Sequence, residues 1–157
     1  MTPTASTFKK LAIMALALFP SLAMAQSQLF EQMAKLPETE YTYLSSAMIS
    51  SAEDVLSISS LDILSQLKSI EILKSDNDQS CDKIRADIKY MIPSMTLLSR
   101  IQDDGDVTEI FGTKASNDSQ SRYSEILYIQ DDTDCNEIKL IYLSGNIEPD
   151  AIRELID

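Results

Sequence analysis

Seven residues near the C-terminal end, Glu137-Ile138-Lys139-Leu140-Ile141-Tyr142-Leu143, restrict the architecture more than any other part of the chain. Alternate side chains of an extended strand point to opposite faces. Ile138, Leu140 and Tyr142 therefore go one way, and Ile141 and Leu143 go the other. A strand apolar on both sides belongs in the middle of a sheet, or under cover on both faces. Three further strand signals precede it, at Met95–Gln102, Val107–Thr113 and Tyr123–Gln130, separated by the turn-rich stretches DDGD, KASNDSQSR and DDTDCN. Strands in succession with short polar connections make an antiparallel meander.

The upstream half mixes helix and strand. Ser27 is placed to cap a helix to about Lys35, with Leu29, Phe30 and Met33 on one face and Pro37 blocking continuation. Glu40–Leu44 is aromatic and β-branched, which favours a strand, and Ser45 or Ser46 then opens a short helix over Ala47–Ser50. Residues 50–60 are serine-rich and read as an irregular connection, Leu61–Leu67 as one or two helical turns, and Ser69–Lys74 as an alternating strand. From Ser80, a cap candidate, Ile84, Ile88, Met91 and Ile92 recur at helical spacing until Pro93 ends the run. Gly145 is expected to stop the last strand, and Pro149 to begin a docking helix bearing Ala151, Ile152, Leu155 and Ile156. The order predicts an α+β domain, a mostly antiparallel sheet of about five to six strands with helices packed on at least one face.

The first 25 residues read differently. Lys9 and Lys10 form a basic start, Leu11–Phe19 an apolar stretch, and Ala23-Met24-Ala25 an A-x-A cleavage site, the pattern of an export signal. The apolar stretch falls short of the roughly 20 residues a spanning helix needs. Removal of residues 1–25 would leave residues 26–157 as a single domain without a membrane span, in the periplasm or secreted.

The whole chain carries a formal charge of −12, and the leader holds two of its basic residues and no acid, so the exported part is more acidic still. Such a surface repels phosphate backbones, which argues against a nucleic-acid partner; a basic partner or a divalent cation is electrostatically easier. The two cysteines, Cys81 and Cys135, are a candidate disulfide in an oxidising compartment. Closing a loop of roughly 50 residues would contribute about 4 kcal/mol by the chain-entropy account.

The stretches LFEQMAK, YTYLSSAMI, SIEILKS, LLSRIQDDGDVTEIFG, SEILYI and LIYLSGNI together resemble the secreted bacterial family filed as domain of unknown function 4252. The resemblance implies a small envelope or secreted protein from a Bacteroidetes-type bacterium. It supplies no active site, so no functional residue carries over.

Chemistry is restricted mostly by what the sequence lacks. With no histidine, the usual general base near neutral pH, Ser-His and Cys-His nucleophilic pairs and histidine-ligated zinc are excluded. Ser65–Lys68 and Ser80–Lys83 match a Ser-x-x-Lys spacing, but neither companion element of penicillin-recognising enzymes is present. Asp103, Asp104 and Asp106, with Asp131, Asp132 and Asp134, offer the oxygen ligands calcium prefers, although hairpin turns use the same residues. The acidic neighbours of Cys135 oppose a thiolate there. Tyr128, Ile126 and Ile141 form a binding face if they share a sheet surface that no helix covers. The expectation is a non-enzymatic binding module of the cell envelope, with no cofactor, engaging an unknown protein or cell-surface component. The alternative is a calcium-assisted binding or hydrolytic protein that uses the acidic turns.

Overall fold

A computed structural model describes residues 22–49, 61–116 and 121–153. Most of the leader, the serine-rich connection at 50–60, Asn117-Asp118-Ser119, whose Asn-x-Ser spacing matches a glycosylation sequon, and Leu155 and Ile156 lie outside the described residues.

One six-stranded antiparallel sheet organises the chain. In chain order the elements are α1 (Leu22–Met33), β1 (Thr39–Ser45), α2 (Ser46–Ile49), α3 (Leu61–Gln66), β2 (Leu67–Ser75) and α4 (Asp78–Met91). A 3-10 turn (Ile92–Ser94) leads to β3 (Thr96–Asp103), β4 (Asp106–Lys114), β5 (Tyr123–Asp132), β6 (Glu137–Ile147) and α5 (Pro149–Arg153). The lateral order is β1-β2-β6-β5-β4-β3, every neighbouring pair antiparallel. The α+β expectation holds, with the meander β3 to β6 in place and β2 joined to its far side.

β6 is central, and its two apolar faces meet two separate cores. Ile138, Leu140 and Tyr142 pack with Phe30 and Met33 of α1 and with Ile84, Ile88 and Met91 of α4. Leu143 and Ile147 pack on the opposite face with Ile49 of α2, Ile63 and Leu64 of α3, and Ala151 and Ile152 of α5. Each fully buried Ile or Leu contributes about 1.5–3 kcal/mol, so a strand feeding both cores ties the layers together.

Several local expectations differ from the structure. α1 starts at Leu22, not after a Ser27 cap, because Leu22-Ala23-Met24-Ala25 are strong helix formers and continue the turn. The cap of α4 is Asn77, extended at φ −88° and ψ 127°, whose side chain accepts from the Ser80 amide. Ser80 is instead buried, and its hydroxyl donates to the Pro37 carbonyl at 2.7 Å, pinning the α1–β1 loop to α4. Gly145 does not stop β6; it sits within the strand opposite Leu67. A Cβ there would lie 2.3 Å from the Gln66 carbonyl oxygen, so the missing side chain lets the α3–β2 junction approach the sheet.

Candidate functional site

Tyr128, Ile126 and Ile141 do share one sheet face: Tyr128 stands opposite Ile141, and Ile126 opposite Leu143. Ile126, however, is fully buried beneath the α2, α3 and α5 layer, which removes it from any contact surface. Tyr128 and Ile141 are half-buried at the margin of that core. The next residues down the strands, Gln130 and Lys139, are polar, so the apolar surface ends within one row. Alternation along the strand puts Ile126 and Tyr128 on one side, but neither the register that brings Ile141 beside them nor the helices across that face could be read from the sequence.

The acidic turns come together because β4 pairs with β5. Asp103 faces Asp106, Asp106 faces Asp132, and Asp132 faces Glu137, one row of carboxylates across four strands. Asp106, Asp132, Gln130, Glu137 and Lys139 line a shallow depression there. Partial desolvation, then the charges of Asp132, Asp103 and Asp134, raise the Asp106 carboxyl. Asp132 is lowered, because its Oδ1 accepts from the Cys135 amide at 2.9 Å and the Asp134 amide at 3.0 Å. Turn chemistry thus consumes Asp132 in closing its own hairpin. Gly105, at φ +94°, gives the neighbouring hairpin its left-handed corner, and its carbonyl accepts from the Thr133 hydroxyl at 3.1 Å. Asp131 points to the opposite face and is held by Arg85, whose Nη2 lies 2.7 Å from its Oδ1. Asp104 is exposed on the turn. Among the described residues, no group of three or more His, Cys, Asp or Glu is arranged to hold a metal ion.

The candidate disulfide is not formed. Cys81 is buried at the start of α4 and Cys135 is exposed on the β5–β6 turn, both as free thiols. Cys81 Sγ donates instead to the Ser75 carbonyl at 3.3 Å and to the Asn136 carbonyl at 3.2 Å, serving as a small core residue with two local acceptors. Burial raises the Cys81 thiol. A hydrogen bond to Asp132 and its charge raise that of Cys135. Both shifts disfavour the thiolate required for attack on a disulfide. The Ser80–Lys83 spacing likewise builds no nucleophilic pair, since Lys83 bonds Asp87 while Ser80 holds Pro37.

Two features escaped the sequence. The first is one of the sheet's two edges: β3 is a terminal strand, as β1 is at the other side, and Leu97 and Ile101 on β3 are 48% and 46% exposed. An edge strand carries a row of backbone donors and acceptors with no strand beside them. The second is a buried polar nest under α1. Glu71 of β2 and Glu125 of β5 are 2% and 5% exposed, with Tyr142 of β6 between their strands. The Tyr41 hydroxyl donates to Glu71 Oε2 at 2.8 Å. Burial, and then its carboxylate partner, push each of Tyr41 and Tyr142 well above the ordinary phenol range.

The family model described as "Domain of unknown function (DUF4252)" matches residues 30–155, nearly the whole chain beyond the expected cleavage point. The chain belongs to the DUF4252 family. The family has no assigned activity in that description, so membership assigns no residue a role. No curated protein and no solved structure matches this DUF4252 chain. No helix among the described residues is long and apolar enough to cross a membrane.

Proposed function

We propose that this DUF4252 chain is a secreted or periplasmic binding module of a bacterial cell envelope, that it is not an enzyme, and that it engages another protein along the open side of β3. The supporting observation is that edge. β3 offers an eight-residue strand with unpaired backbone groups and two exposed aliphatic side chains, Leu97 and Ile101, one on each face. Addition of an extended partner segment uses those backbone groups for affinity and alternate side chains for selectivity. The only basic side chain on the strand is Arg100, which reaches back to Glu109 of β4 at 3.5 Å. With the excess of acid elsewhere, a basic or neutral partner segment is favoured over an acidic one.

Affinity isolation from the envelope fraction of the producing cell, with the wild-type chain and with Leu97→Lys and Ile101→Lys combined, tests this proposal. The expected result is a partner held by the wild type and lost by the double variant, with both melting alike. Equal capture by both proteins, or none by the wild type, would contradict it.

A further inference from the structure

Removing the leader after Ala25 makes Gln26 the first residue of the chain, and Gln26 is not at the surface. It is 5% exposed, and its Nε2 is placed to donate to both Glu125 oxygens, at 3.1 and 3.2 Å, and to the Tyr142 hydroxyl at 2.8 Å. The next residue, Ser27, bonds Glu71. The first two residues of the shortened chain therefore touch the two buried carboxylates of the nest.

Among the described residues, those carboxylates lack a cation. No lysine or arginine among the described residues pairs with Glu71 or Glu125. The groups facing Glu71 are the Tyr41 hydroxyl from β1, the Ser27 hydroxyl and Glu31 of α1, whose charge is of the same sign, and its cross-strand neighbour Tyr142 of β6. Glu125 faces Gln26 and Tyr142. Two acids withdrawn from water beside a third, with only neutral hydrogen-bond donors, are a costly arrangement unless a positive charge joins them. Burial, only partly offset by Tyr41 and Ser27, holds Glu71 above the ordinary carboxylate range.

We propose that the missing cation is the α-ammonium of Gln26, which seats against Glu71 and Glu125 as a buried ion pair and fixes α1 to the sheet. Hydrolysis of the Ala25–Gln26 peptide bond leaves the Ala25 carboxylate on the departing leader and a protonated amine on Gln26. Before cleavage the same nitrogen is a peptide amide inside α1, which begins at Leu22, so it is uncharged. The precursor thus carries the penalty of the two unpaired acids, and the processed chain does not. Processing is thereby coupled to stability: the chain gains its last stabilising contact only after export. This inference depends on cleavage after Ala25, the assignment that also places the protein in the envelope, but not on the β3 edge.

Mass spectrometry of the N-terminal peptide from the exported protein comes first. A start at a residue other than Gln26 removes the cleavage assignment and the proposal with it. So does Gln26 found as pyroglutamate, in which its amine has attacked its own side-chain amide and released ammonia. With a free Gln26, acetic anhydride labelling across a pH series reads the α-amine directly. The expected titration lies at least about one unit above the ordinary 7.7–8.0, so that near neutral pH the folded chain labels about tenfold more slowly than the unfolded one. An ordinary titration in the folded wild type overturns the proposal without any variant being needed. Glu71→Gln adds a second arm: it should lower the Tm of the chain beginning at Gln26 and raise that of a chain beginning at Leu22. Equal shifts in both chains would show that Glu71 acts without the ammonium.

Discussion

Replacing Gly145 by alanine gives a prediction whose sign is set by one contact. In an open strand, alanine is favoured over glycine by about 0.5–1 kcal/mol, because glycine loses more backbone freedom on folding. Nothing in the backbone of Gly145 forbids a side chain, since its φ, unlike that of Gly105, is not in the left-handed region. The added Cβ, however, would lie 2.3 Å from the Gln66 carbonyl oxygen, 3.0 Å from Leu67 Cα and 3.1 Å from the Gln66 carbonyl carbon. All three are main-chain atoms, held where α3 meets β2 beside the irregular pairing at Leu67 and Ser69, so no side chain can rotate away. Forcing a methyl group into packed main chain costs typically about 1–3 kcal/mol. An approach of 2.3 Å to a main-chain oxygen puts the cost in the upper part of that range, about 2–3 kcal/mol, so even after an entropic gain of about 1 kcal/mol Gly145→Ala should destabilise the protein by about 1–2 kcal/mol. For a chain of this size that is a fall in Tm of roughly 4–8 °C. Differential scanning calorimetry of wild type, Gly145→Ala and the exposed neighbour Asn146→Ala measures it, the last expected within about 0.5 kcal/mol of wild type. An unchanged or raised Tm for Gly145→Ala would refute the close approach of the α3–β2 junction.

Three other outcomes follow from particular side chains. Thr113 Oγ1 is buried with no hydrogen-bond partner among the described residues, so Thr113→Val should raise stability by up to about 1 kcal/mol in chemical denaturation. Thiol counting should find one reactive group, Cys135, in the native exported protein and two after denaturation without reductant; native labelling should quicken in Asp132→Asn, because Asp132 raises the thiol. In a chain beginning at Leu22, without the Gln26 ammonium, the raised carboxyl of Glu71 makes the folded state bind a proton more tightly than the unfolded state does. The resulting stabilisation is fully present below Glu71's ordinary 4.5 and is lost as pH rises through the higher folded value. Thermal melts should show that slope, and Glu71→Gln should flatten it.

The strands were legible because their side chains alternate and their connections are rich in Asp, Asn, Gly and Ser. The double-sided strand Glu137–Leu143 correctly announced cover on both faces, which α1 and α4 supply on one side and α2, α3 and α5 on the other. Positions whose role depends on a distant chain segment were not legible. Gly145 looks like a terminator until Gln66 is known to pass beside it. Glu71 looks like the solvent side of an alternating strand, but its face turns toward Ser27 inside α1 and the Tyr41 hydroxyl of β1. Ser80 and Asn77 both have cap chemistry, and only backbone geometry distinguishes the cap from the residue three places on. For the candidate site, alternation put Ile126 and Tyr128 on one side of their strand, while strand register brought Ile141 beside them and the helical layer, a property of long-range packing, buried Ile126. The prominence of β3 depends on lateral strand order, which local sequence does not encode.

Site-specific photo-crosslinking in the producing cell tests the binding role most directly, with a photoreactive residue at Ile101 on β3 and, in a separate chain, at exposed Asp82 on α4. Contact along the sheet edge predicts a discrete protein adduct from position 101 that is absent from position 82. No adduct at 101, or the same adducts from both positions, would contradict it.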